Sequence, residues 1–374
     1  MLRPHIVRVV LLFTASGLTP LWFGCGETST SALVTVDAGK QADATRVPLG
    51  DSGGGDVIRR ADGPCGGSCA ITLAAGVGYP GGIVVDSKNV YWTDAQHGEG
   101  TSAGCVTQIP IGGGSPITLA SGQKGPWGIA VSSTTVYWGN YNGGGQLASA
   151  PIDGGSVVVL TTDAGWAGGV ALDAENVYWT SGGNGANNYV NKMLLDGGAP
   201  VVLASRPNIA NWLAVGGADV YWTEMGETII GQGTPGTDVM SVASLGGTPS
   251  TIASGQEQPG AIVTDATSVY WADEAEEGGP GSVMTAPLGG GAVVTLAGEQ
   301  GDVSAIAVDD ANVYYTVHDS GTVLKVPKGG GTPTTLLAGL TYPNAIAVDA
   351  TNVYVATEGL GGALTGALLK ISPK

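Results

Sequence analysis

Few residues of this 374-residue sequence have the types that acid–base, nucleophilic or metal chemistry requires. Beyond the N-terminal segment there are two histidines, His97 and His318, and carboxylates at Asp94, Glu224, Asp273 and Asp302 that could in principle share a cation. No nucleophile elbow, phosphate loop or HExxH pattern surrounds them. A second set of residues suits recognition rather than reaction. The aromatics Tyr79, Trp127, Trp166, Trp212 and Tyr342 each precede a short apolar run, and Asp94, Asn140, Ser181, Glu224 and Asp273 each follow one. Rings and polar groups held on variable loops are a usual form of binding surface.

The elements that must position these residues come from an internal repeat. From Ile71 onward one pattern recurs seven times: an apolar strand resembling Ile-Ala-Val-Asp, a four-residue turn, a strand resembling Val-Tyr-Trp-Thr, a variable loop, a third strand and a Gly-Gly turn. Tyr91, Tyr137, Tyr178, Tyr221, Tyr270, Tyr314 and Tyr354 mark it at intervals of 46, 41, 43, 49, 44 and 40 residues. That period matches a four-stranded propeller blade.

Each strand is legible locally. In Ile306-Ala307-Val308 the alternation suits an innermost strand, with a small residue on one face. In Val177-Tyr178-Trp179-Thr180 the two rings fall on opposite faces, so both surfaces of a second strand are filled between stacked blades. Asp86, Asp173, Asp265, Asp309 and Asp349 recur at the intervening turns and are expected to bond their own backbone. Gly-Gly pairs, from Gly112-Gly113 to Gly329-Gly330, are expected to supply positive φ at the outer hairpins.

Only six fourth strands follow the seven copies of the first three, and a candidate seventh, Ile71 to Ala74, lies orphaned before the first repeat. The economical solution is an all-β, seven-bladed β-propeller of four-stranded antiparallel blades, with 71–74 joining the last blade beside Ala367 to Ile371 and removing an open edge.

The repeats resemble YWTD and NHL-type propeller repeats. Tyr91-Trp92-Thr93-Asp94 matches the first motif in full, and Tyr221-Trp222-Thr223-Glu224 and Tyr314-Tyr315-Thr316-Val317 are drifted copies. The resemblance implies a binding module more often than an enzyme. It also places the loops entering the inner strands and leaving the second strands on one face, around the mouth of the central channel. The expected ligand-binding residues are therefore Tyr79, Trp127, Trp166, Trp212, Tyr342, Asp94, Glu224 and Asp273. The bland alternative is that these rings only cover blade ends. An enzyme alternative also stays open: streptogramin lyases resemble this architecture and use a channel-mouth histidine, for which His318 is the nearest candidate, and lactonase-like propellers use an acid-held metal.

Residues 1–25 resemble an export signal, with Arg3 and Arg8 around the start of an apolar stretch and Gly24-Cys25 resembling the end of a lipobox. Cys25 is the expected lipidation site, residues 26–64 a disordered Ser/Thr/Asp/Gly tether and 65–374 the propeller. Cys65 and Cys69 are disulfide candidates, with Cys105 a competing partner for Cys69. From Gly26 onward the chain carries 12 Lys+Arg against 31 Asp+Glu, a surface that repels phosphate backbones and disfavours nucleic acid. The expected protein is an extracytoplasmic monomer without a cofactor, met by a protein or glycan ligand and touching the membrane only through its N-terminal anchor.

Overall fold

The computed structural model describes residues 57–58, 69–95, 104–142, 144–162, 164–182, 188–206, 208–225, 237–274, 280–359 and 365–374. His97, Cys25 and Cys65 lie outside these residues. Seven antiparallel sheets are arranged around an axis, six of four strands and one of five. In the first, Pro80–Val85 is innermost, followed outward by Asn89–Asp94, Gly104–Pro110 and Ile117–Gln123. Each inner strand packs on the next, and that of the seventh blade, Pro343–Val348, packs back on Pro80–Val85 to close the ring.

Closure uses the N-terminal strand as the strand count requires. Cys69–Val77 pairs with Gly366–Ser372, with Ile71 opposite Lys370 and Ala75 opposite Ala367. Side chains tie the seam as well. Asn344 donates its amide N–H to the Pro80 carbonyl at 2.9 Å, and the Lys370 ammonium donates to the Ile111 carbonyl at 3.0 Å. The orphan strand is longer than the expected 71–74. Part of the expected tether also departs from disorder: Val57–Ile58 pairs with Ile71 and Ala70 as a fifth strand, capping an edge that would otherwise present unpaired backbone groups.

Packing between blades follows from the alternation of the second strand. The tyrosine of each blade meets the residue after the tyrosine of the next blade: Tyr91 with Trp138, Tyr137 with Trp179, Tyr178 with Trp222, Tyr221 with Trp271, Tyr270 with Tyr315, Tyr314 with Val355 and Tyr354 with Trp92. These residues are buried, and truncating one such ring to alanine costs about 3–5 kcal/mol. The threonine of the motif adds a polar tie. The Thr93 hydroxyl accepts from the Gly82 N–H and donates to the carbonyl of Trp127 in the next blade at 2.6 Å, and Thr223 donates to Gly260 at 2.9 Å.

The five recurrent turn aspartates do what their repetition predicts. Asp309 accepts from the N–H groups of Ala311 and Asn312, both at 2.8 Å, while its other oxygen takes the Tyr314 hydroxyl at 2.8 Å. Asp86, Asp173, Asp265 and Asp349 repeat this arrangement. In the second and fourth blades, where no such aspartate stands, the Tyr137 and Tyr221 hydroxyls bond the Leu195 and Leu288 carbonyls of the following blade instead.

The outer hairpins need glycine at one register only. Gly154 and Gly155 have φ of 86° and 146°, whereas in the triple-glycine turns it is Gly290 and Gly291, at 80° and 145°, that turn left-handed. Gly289 occupies the place that Asp153 fills in the second blade, because both hairpins close on the proline three residues before the first left-handed glycine. The expected Gly289-Gly290 pair is therefore shifted by one residue.

Lys328 and Lys374 reach across blades to Asp265 and Asp309 at 2.7 and 2.6 Å, and these contacts with the turn hydrogen bonds hold both carboxyls below the usual range despite their partial burial. A carboxyl depressed in the folded state contributes stability that is complete above about pH 4, its unfolded value, and is lost as pH falls below it. Asp309→Ala is expected to lower unfolding free energy at pH 7 by about 2 kcal/mol, with a smaller penalty at pH 2.5. Denaturant titrations at the two pH values check this; an equal penalty at both would show that ionisation of Asp309 is irrelevant.

Candidate functional site at the channel mouth

The loops entering the inner strands and leaving the second strands share one end of the barrel of blades, joined by backbone bonds such as Ala95 N–H to Tyr79, Tyr141 N–H to Gly125, His318 N–H to Asp302 and Glu358 N–H to Tyr342. Around this mouth a set of side chains forms a circuit. The ring centroids of Trp212 and Trp127 lie 6.4 Å apart and those of Trp127 and Tyr79 lie 5.6 Å apart. Burial pushes the Tyr79 hydroxyl up to about 12, and the nearby Glu358 carboxylate adds to the rise. Glu358 Oε1 stands 4.0 Å from His318 Nε2, whose Nδ1 is 3.7 Å from Asp302 Oδ2, and Asp302 in turn acts on Glu274. Tyr342 stacks on the His318 ring at 4.7 Å, and Trp166 stacks on Tyr141 at 5.0 Å.

The circuit has two unlike arcs. Blades one to four supply rings, and blades five to seven supply carboxylates with one imidazole, on which the Tyr342 ring of the seventh blade stacks. Trp127 and Trp212 meet although their blades are not adjacent, because the third blade between them presents Gly168 and Gly169 at the equivalent inner positions and its inner strand is only Val170–Leu172. In the fifth blade Gly260 has the same effect: a Cβ there would lie 2.2 Å from Glu274 Oε1, so the carboxylate rests directly on the inner backbone. Burial beside Asp302 raises Glu274 to about 7, and burial raises Glu358 against the opposing pull of His318. Gln258 and Tyr342 hold φ of 51° and 44° at the register where the second blade uses Gly125, a conformation costing about 1 kcal/mol or more for a side-chain-bearing residue.

The expected aromatics are thus brought together, Tyr79, Trp127 and Trp212 by direct ring contact and Trp166 and Tyr342 as flanking stacks. The expected acids are not. Asp94 is buried and its two oxygens accept from the N–H groups of Gly78 and Tyr79, at 2.8 and 2.9 Å. Glu224 is fully buried and accepts from Arg206 Nε at 2.8 Å, Asn208 Nδ2 at 2.9 Å and Trp222 Nε1 at 3.0 Å. Asp273 accepts from Trp271 Nε1 at 3.1 Å, and burial raises it to about 6. Asn140 and Ser181 are likewise buried, bonded to Gln123 and Asn191. The reason is strand alternation: a residue two places after the buried tryptophan shares its face and points into the blade.

One residue later, Tyr141, Glu274, His318 and Glu358 point the other way, and that period-two rule is the signal that could have found them. The acids that a lactonase-like centre would need, Asp94, Glu224, Asp273 and Asp302, consequently do not share a site. Among the described residues, Asp302, His318 and Asp319 form the one group of three ligating side chains with donor atoms within 4.8 Å of one another. Cys69 and Cys105 are both disulfide-bonded.

No protein-family model and no curated protein sequence matches the chain. Solved structures do match. U3-55K superposes with a TM-score of 0.62 at 11% identity, over 81% of this chain and 98% of that one. The hydrazine synthase of Kuenenia stuttgartiensis gives 0.60 at 12% identity, over 81% and 97%. The PQQ-bound aldose sugar dehydrogenase of Streptomyces coelicolor gives 0.53 at 16% identity, over 83% and 100%. At these identities the likeness is one of fold, and the chain is a β-propeller with a mouth of its own composition.

The Glu224 cluster is a buried charge held chiefly by Arg206. Arg206→Ala is expected to destabilise the fold by about 3 kcal/mol, and Glu224→Gln in that background to recover part of the loss, because the orphaned charge is removed. Thermal unfolding of the two variants checks this; no recovery would mean that Arg206 acts through packing alone.

Proposed function

We propose that this protein is an exported binding module that captures an external ligand at the channel mouth, on a scaffold of YWTD-like repeats. The observation that carries the reading is the circuit Trp212–Trp127–Tyr79–Glu358–His318–Asp302–Glu274, drawn from six blades and converging on one opening. Tyr79, Trp127 and Trp212 stand there partly exposed, Trp212 also packing on the core between the fourth and fifth blades, on a frame made rigid by seven sheets closed into a ring. Protein or glycan ligands of the cell envelope both suit a partly exposed aromatic surface.

Export is supported by the residues of the 1–25 segment and by the disulfide bonding of Cys69 and Cys105, which requires an oxidising compartment. Anchoring through Cys25 completes the reading, and residues between it and the propeller give the mouth room to reach past the membrane surface.

Purified chain is expected to be retained on isolated envelope material, and Trp127→Ala/Trp212→Ala, folded by circular dichroism, to lose about tenfold or more of that retention. Equal retention of the folded double variant would remove the mouth from the function. Mass spectrometry of the mature N-terminus is expected to show diacylglyceryl-modified Cys25; Cys25 in a disulfide, or cleaved away, would overturn the anchor.

A further inference from the structure

The two arcs of the mouth differ in chemistry in a way that narrows what it can hold. This inference rests on the proposed binding face and names its ligand class. Glu274 is partly buried, its backbone N–H donates to the Gln258 carbonyl, and its carboxylate has no hydrogen bond or ion pair among the described residues. Arg206 is committed to Glu224, and Lys328 and Lys374 stand at the opposite end of the blades with Asp265 and Asp309. Among the described residues the Glu358 carboxylate is paired with His318, at 4.0 Å. A carboxylate resting on a glycine backbone, beside Asp302 and without a cation of its own, is a group that an arriving positive charge would hold ionised.

Across the mouth stand Tyr79, Trp127 and Trp212, whose ring faces carry the negative side of an aromatic quadrupole. Carboxylates alone would suit a bare metal ion, and rings alone would suit an apolar body. Together they suit a cation with an organic body. The overall negative charge of the chain, −17, steers such a ligand in the same sense.

We propose that the channel mouth binds an organic ammonium ion, its charged head at Glu274 in the acidic arc that Asp302 and Glu358 complete and its carbon body against Tyr79, Trp127 and Trp212. The same chemistry serves a free amine and an ammonium group displayed on a larger molecule; the head group is what the mouth reads.

The test is isothermal titration of the full chain with two pairs of probes that differ in charge and little in shape: choline against 3,3-dimethyl-1-butanol, and butylammonium against butanol. At least one ammonium should bind about tenfold more tightly than its neutral counterpart. Glu274→Gln and, separately, Trp127→Ala should each remove most of that preference, while Asp196→Asn on the opposite face leaves it unchanged. Should neither ammonium be preferred, or should the preference survive Glu274→Gln, the assignment falls. Envelope retention that depends on Trp127 and Trp212 but is competed equally by charged and neutral probes would keep the binding face and reject the ammonium; ammonium binding without any such retention would do the reverse.

Discussion

Everything in this molecule depends on a tyrosine of one blade being covered by the large residue of the next. A single four-stranded sheet has two apolar faces and no means of burying either, so each blade is stable only between two neighbours. The second strand meets this need with consecutive bulky residues on opposite faces, as in Tyr178-Trp179, and the ring of seven lets every face find a partner. Closure is then part of the same requirement. Tyr354 and Trp92 come from the two ends of the chain, and they pack together only because Cys69–Val77 has been carried into the last blade.

The polar groups of the repeat are subordinate to that packing. The turn aspartate takes up two backbone N–H groups and the hydroxyl of the buried tyrosine, so one carboxylate ends a strand, starts the next and satisfies a core ring. The acid at the end of the motif is used the same way at the opposite end of the blade: Asp94 satisfies loop backbone, and Glu224 and Asp273 satisfy the indole N–H of the tryptophan beside them. Acids that read as a chemical constellation are therefore fittings of the scaffold. The mouth is left to residues that the repeat does not prescribe, and there the blades differ in kind, with tryptophan and tyrosine rings on one side and carboxylates, an imidazole and the Tyr342 ring on the other.

Blade count, strand order, the sealing strand and the role of the turn aspartates were all legible in the amino-acid sequence, since each is a local pattern repeated often enough to separate it from chance. The aromatic half of the mouth was legible too, because Tyr79, Trp127 and Trp212 precede inner strands in the linear order. The acidic half was legible only in Asp302 and His318. Glu274 and Glu358 stand one residue beyond the position that the motif draws attention to, and a shift of one residue at a strand end reverses the direction of a side chain.

What the sequence determined by itself is thus the architecture, through spacing and alternation that need only near neighbours to act. Which side chains meet was decided by the tertiary structure. Trp127 lies against Trp212 across a glycine-bearing third blade, and Glu358 of the last blade is brought near Tyr79 of the first, where the Gly359 N–H bonds the Gly78 carbonyl, because a closed ring brings residues far apart in the chain to one opening. No local pattern encodes those meetings; they follow from closure of the ring and from glycine at 168 and 260 on the inner backbone.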